Sequence, residues 1–409
     1  MKLLILTQYF PPEVGAPQNR LFELALRLKG VGVDVTVLTA MPNYPQMQIY
    51  KGYGGKSYVF EEMNGLKVHR SSIYIPSSKS IVQRLRNYFS FVISSASVGK
   101  TKLDKHYDFL MCESPPLFLG YSAMRLARLK NAKLIFNVSD LWPESAEKLG
   151  VVTNKWMLKL AYNLEEKLYK RSVLVTGQTQ GICKNIQQRF PQVKTYWLPN
   201  GVDLSYYNPD TIAPSGWRSK NNISEHDFVI LYAGIIGIAQ GLEVILQAAD
   251  QLRSESKVKF VLLGSGPEKE RLKALKRELN LTNVLFVDGV SKNEMKFVLK
   301  EVNAAVIPLK KLDLFLGAIP SKIFENLAMK LPVLLGVDGE AKELFVDQGK
   351  CALFVEPDNA ADLAEKVKLL IHDEGLQKQL GEAGRAYVME KFNRDKIAAN
   401  FYDSIKKLA

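Results

Sequence analysis

Short, strongly apolar runs return along the whole chain, and between them apolar residues recur every three or four positions. "KLLILT", "VDVTVLT", "FLMCES", "KLIFNVS" and "SVLVTG" in the first half read as buried strands. "FVILYAG", "KFVLLG", "NVLFVDG", "AAVIPL" and "LPVLLGV" do the same in the second half. The stretch "PQNRLFELALRLKGVG" has helical spacing, with Pro17 near its start and Gly30 at its end, as a helix prefers. Strands that alternate with helices in this way form parallel sheets covered on both faces, so the pattern predicts two doubly wound α/β domains. The polar stretch 208–227, "NPDTIAPSGWRSKNNISEHD", reads as the linker between them.

Length agrees, since 409 residues exceed one compact core. The net charge of +13 changes the picture more. Residues 1–204 hold 27 Lys and Arg against 14 Asp and Glu, whereas residues 205–409 hold 28 of each. One domain therefore carries all the excess, which suits a polyanion or an anionic membrane. Cys112, Cys183 and Cys351 are few and far apart, giving neither a disulfide framework nor a metal cluster, and they read as a reducing, cytoplasmic setting. No apolar run approaches the length of a membrane span, and "MKLLILT" lacks the shape of a signal peptide.

In doubly wound folds ligands bind at the carboxyl ends of strands. The loop after the first strand, "QYFPPEVGAP", has no G-x-G-x-x-G, which argues against a nicotinamide dehydrogenase. The second half offers "AGIIGIAQG", with Gly234, Gly237 and Gly241, and then "GSGPEKERL" at the next strand end. Together these loops look like a phosphate-binding rim. "GAIPSKIFENLAMKLPVLLG" at 317–336 places Lys322 in the first turn of a helix, where the helix dipole disfavours a cation. Either Glu325 pairs with it one turn on, or an anion from outside does. Asp140 in "SDLWPES" reads as a helix N-cap or as a group that orients a substrate hydroxyl. No spacing of His, Asp or Cys suggests a metal, and aromatic-and-basic RNA motifs are absent, so neither a metal cofactor nor nucleic acid is expected.

"YFPPEVGAP", "SDLWPES", "PNGVD" at 199–203, "YAGIIGIAQGLE" at 232–243, "LLGSGPEKERL" at 262–272 and "PSKIFENLAMKLPVL" at 320–334 occur in one order over nearly the whole chain. The sequence thereby resembles glycosyltransferase family 4, retaining enzymes of the GT-B fold. With "MPNYP", it looks closest to the WbuB-like N-acetylfucosamine transferases of bacterial O-antigen and capsule assembly. The resemblance implies two facing Rossmann-like domains with an inter-domain cleft. Residues 1–203 would bind the acceptor, residues 204–389 the nucleotide-sugar, and a C-terminal helix at 390–409 would pack back on the first domain.

The implied reaction moves a sugar, such as an N-acetylated deoxyhexosamine, from a UDP-sugar, favoured over a GDP-sugar, to an undecaprenyl-diphosphate-linked acceptor on the inner membrane face. Lys322, Asp140 and Glu325 would be catalytic. Lys322 would neutralise the leaving diphosphate, and Glu325 would accept the two ribose hydroxyls. The implied donor set adds Gly15, Gly234, Gly237, Gln240, Gly266, Val290, Gly317, Ala318, Ile319 and Ser321, with Gly234 and Gly237 offering backbone N–H groups to phosphate. Apart from the resemblance, residues 80–102 put Arg84 and Arg86 beside Tyr88, Phe89, Phe91, Val92 and Ile93. That stretch reads as a buried core helix or, favoured by the charge asymmetry, as a contact with an anionic membrane. Glu144 reads as structural or acceptor-facing. The sequence departs from the family pattern in three respects. Gly317 stands for the first glutamate, Ile235 and Gln240 for a basic pair, and Ser139 for a histidine. Lys322 then carries more of the phosphate charge. The alternatives are a GT-B nucleotide-sugar epimerase and a non-catalytic nucleotide-sugar-binding subunit.

Overall fold

The computed structural model describes the chain apart from Val14, Lys79, Leu149 and Val151, and divides it into two compact units. Residues 1–200 with 394–409 form the first, and residues 201–393 the second. Val14, within "YFPPEVGAP", therefore lies outside the described residues.

In chain order the first unit holds β1 (Lys2–Leu6), α1 (Ala16–Gly30), β2 (Asp34–Ala40), β3 (Tyr58–Met63), β4 (Leu66–Ser71), α2 (Ile81–Lys102), β5 (Phe109–Ser114), α3 (Leu119–Leu129) and β6 (Lys133–Val138). It continues through α4 (Glu144–Lys148), α5 (Lys155–Arg171), β7 (Leu174–Gly177), α6 (Gln180–Arg189) and β8 (Thr195–Trp197). The sheet order is β3-β4-β2-β1-β5-β6-β7-β8, parallel except for the β3–β4 pair. That pair is a hairpin closed by Asn64 and Gly65, both at positive φ, as a tight two-residue turn requires.

One face of the sheet is covered by α2, α3, α5 and α6 through residues such as Phe91, Leu126, Leu168 and Ile186. The other is covered by α1 through Leu21 and Leu28, joined there by Phe401 and Ile405 of the C-terminal helix. Helix α2 approaches α3 closely, because a Cβ at Gly99 would lie 2.6 Å from Leu126. Ser95 and Ser122 hydrogen-bond across the same contact at 2.9 Å.

The second unit contains α7 (Trp217–Lys220), β9 (Phe228–Ala233), α8 (Glu243–Gln251), β10 (Val258–Leu263), α9 (Lys269–Glu278), β11 (Val284–Val287), α10 (Lys292–Lys300), β12 (Ala304–Pro308) and α11 (Lys322–Ala328). It ends with β13 (Val333–Gly336), α12 (Glu340–Lys342), β14 (Ala352–Phe354), α13 (Ala360–His372) and α14 (Glu374–Lys391), before α15 (Arg394–Lys406) returns to the first unit. Its sheet, β11-β10-β9-β12-β13-β14, is parallel throughout. The strands are buried on both faces, which is why they read as unbroken apolar runs.

The stretch 208–227 is not a tether. Trp217 is buried, and the buried Arg218 guanidinium donates to the carbonyls of Glu301, Ser224 and Asp227 and to the Asn303 side chain. Glu301 in turn accepts from the backbone of Ser215 and Arg218. Polar composition suggested a linker, whereas those polar groups bond inward to the second unit. Replacing Arg218 with Met strands several buried acceptors, so Arg218→Met should destabilise by about 3 kcal/mol in urea unfolding. A cost within roughly 0.5 kcal/mol, as for an exposed linker residue, would contradict this.

Candidate active site

Two glycine loops at the carboxyl ends of β9 and β10 are locked together backbone to backbone. Gly234, Gly264 and Gly266 all have φ near +150°, where side chains are rarely tolerated. A Cβ at Gly264 would lie 1.9 Å from the Gly234 carbonyl, and one at Gly266 would lie 2.3 Å from that of Ile236. The Gly234 N–H donates to Leu263 O at 2.9 Å, and the Ile236 N–H to Ser265 O at 2.9 Å. The expectation that Gly234 offers its N–H to a phosphate is therefore corrected, because a strand carbonyl already holds it. Its glycine is needed for another reason. A Cβ there would come within 2.8 Å of the Lys322 amine.

Lys322 opens α11 and reaches back over this glycine floor. Its Nζ lies 4.0 Å from the centroid of the Tyr232 ring. Tyr232 is fully buried at the end of β9, and its hydroxyl donates to Ile235 O at 2.6 Å, which fixes the ring as a platform. Lys322 as a residue is only partly buried, while its amine is crowded by the Tyr232 ring and Gly234. Burial lowers its pKa to about 8, against a smaller opposing pull from Glu325. This is an ammonium partly stripped of water and held ready for an anion.

The other residues expected to meet the donor stand in different settings. Gly237 precedes a short 3-10 turn, Ile238–Gln240, and its missing side chain makes room for the Gln240 amide, 2.8 Å from where a Cβ would sit. A cavity of about 320 Å³ opens beside the turn, lined by Gly237, Gly241, Glu243, Glu268 and Arg271. Gly317 faces open space. Ala318 spends its N–H on Phe315 O at 2.9 Å, so it is not a free donor. Ile319 is buried, and Ser321 stands at the N-terminal end of α11 without a side-chain cap bond. Glu325 lies one turn along α11, half-buried. Val290 sits in the loop after β11, beside Gly289, which packs against Gly264. Gly15 belongs to the first unit, ahead of α1, with extended backbone at φ 177.

In the first unit the chemistry gathers at the ends of β5 and β6. Glu113, buried within an otherwise apolar strand, takes Arg20 of α1 in an ion pair at 2.7 Å. The same carboxylate accepts from Ser139 and Asn137, and Asn137 accepts from Thr176. Arg20 also donates to Ser139 at 2.6 Å. Ser139 thus anchors the strand end from which Asp140 projects. Asp140 is not a helix N-cap. It accepts from Ser145 at 2.9 Å, and packing around its carboxylate raises its pKa although the residue as a whole is exposed. Glu144 pairs with Lys148 at 2.7 Å and lies 3.5 Å from Asn185. Glu13 of "YFPPE" is buried and accepts from the backbone N–H groups of Phe10, Asn43 and Tyr44, tying that loop to "MPNYP". Arg84 and Arg86 are exposed on α2, and Arg86 stacks 5.2 Å from the Tyr74 ring. Among the described residues, no group of three or more His, Cys, Asp or Glu is placed to hold a metal.

Two residues central to this geometry escaped the sequence reading. Tyr232 gave no signal beyond being an aromatic in an apolar strand. Glu113 did give one, because an acid inside a buried strand must find a partner.

Family comparison agrees with the layout. Residues 15–201 match the glycosyl transferase 4-like domain, and residues 215–387 match the glycosyl transferases group 1 model. Between them the two matches span most of the chain, which is a glycosyltransferase of the GT-B fold. WcaI of Escherichia coli K12, named for colanic acid biosynthesis, is 24% identical over 99% of this chain and 100% of its own length. A Campylobacter jejuni N-acetylgalactosaminyltransferase, named for a diphospho-undecaprenol-linked acceptor, is 26% identical over 62% of this chain and 61% of its own. Among solved structures, Anabaena HepE in complex with UDP and glucose superposes with a TM-score of 0.73 at 16% identity, covering both chains fully. Escherichia coli trehalose-6-phosphate protein bound with UDP-2-fluoro glucose gives 0.75 at 11% identity, again over both whole chains. These two show the fold.

The buried amine has a cost that can be measured. Its folded-state pKa of about 8 lies below the usual 10.5, so the penalty of keeping it charged is full below pH 8 and fades as pH rises toward 10.5. Lys322→Met removes that penalty and should raise stability by about 2 kcal/mol at neutral pH, with the gain shrinking in alkaline solution. Paired urea titrations of variant and wild type check this. A less stable variant at neutral pH would mean that the ammonium is not desolvated.

Proposed function

We propose that this glycosyltransferase moves a sugar, with retention, from a UDP-sugar to a lipid-linked glycan acceptor in surface-polysaccharide assembly. The observation that carries the reading is the Lys322 amine, set over Tyr232 and a glycine floor at the strand ends of the second unit. A nucleotide diphosphate supplies the missing anion. As the glycosidic bond breaks, negative charge grows on the diphosphate, and a fixed, poorly hydrated ammonium stabilises it more than it stabilises the intact donor. Glu325, one turn on, accepts the two ribose hydroxyls, one at each carboxylate oxygen. Gly237 and the 317–321 segment hold the phosphates and the sugar.

Asp140, with its raised pKa, orients a sugar or acceptor hydroxyl from the first unit. Arg20, Glu113 and Ser139 keep its strand end in place.

The loops around the lysine expose apolar side chains, Ile235, Ile238, Leu312 and Leu316. Such side chains suit a donor with a methyl or N-acetyl substituent, which supports an N-acetylated deoxyhexosamine such as N-acetylfucosamine. UDP is favoured by the UDP-bound relatives in fold, and a diphosphate-lipid acceptor by the Campylobacter relative's name. The transferase names of the relatives favour transfer over epimerisation. A lipid acceptor places the enzyme peripherally at the inner membrane face. Its first unit holds 31 Lys and Arg against 15 Asp and Glu, and its second holds 24 against 27. We assign Arg84 and Arg86 to the anionic surface.

The reading is tested by UDP release from a panel of UDP-sugars with and without a diphosphate-lipid-linked glycan. Wild type should release UDP in step with acceptor glycosylation, and Lys322→Ala should lose about two to three orders of magnitude in rate. A folded Lys322→Ala variant within a few-fold of wild type would contradict the role of the lysine. Absence of transfer from any nucleotide-sugar would contradict the enzyme reading.

A further inference from the structure

Helices α2, α3 and α5 lie side by side on one face of the first sheet, and their outward surfaces share an unusual character. On α5, Trp156 and Leu160 are 73% and 64% exposed, although both are large and apolar. Lys159 leans over the Trp156 ring, and Lys167 continues the same helical stripe two turns beyond Leu160. On α2, Val82, Arg86, Phe89 and Ile93 follow at the spacing i, i+4, i+7, i+11, with Val82 and Ile93 66% and 70% exposed. Between them α3 turns Tyr121 and Arg125 outward. Helices α2 and α3 contain no acidic residue. The two acids of α5 are committed, Glu165 buried against Arg189 and Glu166 paired with Lys170 at 2.5 Å.

Exposed tryptophan and leucine beside lysines, on a helix whose other face is already used in the core, make an interfacial anchor. We infer that α5 docks on an anionic bilayer, with Trp156 and Leu160 entering the headgroup region and Lys159 and Lys167 meeting lipid phosphate. Helix α2 contributes the second edge of the platform through Phe89 and Ile93. This inference rests on the proposed membrane location, but it adds an apolar, salt-resistant component that Arg84 and Arg86 do not supply. It also predicts that the first unit lies on the bilayer along its helical layer rather than touching at one helix.

The anchor is tested with vesicles of equal parts phosphatidylglycerol and phosphatidylcholine, with and without brominated acyl chains. Wild-type tryptophan fluorescence should be quenched by the brominated lipid. Trp156→Ser/Leu160→Ser should lose that quenching while Trp142, Trp197 and Trp217 remain as background. The same variant should bind vesicles about tenfold more weakly at high salt, where exposed-charge attraction is screened. Both positions are exposed, so an unchanged melting temperature serves as the folding control. Vesicle binding that Arg84→Glu/Arg86→Glu abolishes, with no Trp156 quenching, would overturn the anchor and leave the basic-helix contact standing. No vesicle binding by wild type at low salt would overturn both. A change in oligomeric state of the double variant, with vesicle affinity intact, would also overturn the anchor and make the face a contact between copies.

Discussion

A single positive charge, held where water is scarce, organises the second unit. Lys322 cannot reach its position unless residue 234 lacks a side chain, and Tyr232 cannot serve as its floor unless its hydroxyl is anchored on Ile235 O. The loop that provides that carbonyl is fixed by Ser265, which requires Gly264 and Gly266 to lie against its backbone. Each of these constraints acts on the next, from strand end to loop to helix. Burial of the amine works against folding and in favour of anion binding, and in the proposed reading a nucleotide diphosphate would relieve what the fold alone leaves unsatisfied.

The first unit uses charge differently. Its buried pair, Arg20 with Glu113, is compensated on the spot by Ser139 and Asn137, so it rigidifies a strand end rather than waiting for a ligand. Asp140 projects from that end into a more open setting. The surplus of cations lies elsewhere, on the outward faces of helices. The same sequence thus separates a site that must be exact in geometry from a surface that needs only the right sign and some apolar area.

Much of this was legible beforehand. The ten apolar runs became ten strands, because parallel strands buried on both faces leave continuous hydrophobic stretches in the sequence. The hairpin of β3 and β4 does not follow from the apolar runs, although Asn64-Gly65 is a strong turn signal. Its strands, YVFEEM at the sheet edge and LKVHRS beside it, mix charged with apolar residues and lack a dense core signature. The 208–227 stretch misled for the opposite reason, since its polar groups bond inward through Arg218. At the site, Lys322 stood out because its charge opposes the helix dipole. What made it special, the Tyr232 ring and the glycine floor, depends on contacts between residues some ninety positions apart and has no local pattern. Roles given to backbone N–H groups, as at Gly234 and Ala318, could not be read from residue type, because hydrogen-bond partners are a property of the folded chain.

The central claim is that the Lys322 ammonium is the group that receives the nucleotide diphosphate. Calorimetric titration of UDP against wild type and Lys322→Met, from about pH 7 to about pH 9.5, tests it most directly. The account predicts wild-type affinity that is level up to about pH 8 and then falls, approaching tenfold per pH unit, with proton uptake on binding in the alkaline range. The variant should bind weakly and without that pH dependence. Wild-type affinity that stays level across the range, or a variant that binds as tightly as wild type, would contradict the claim.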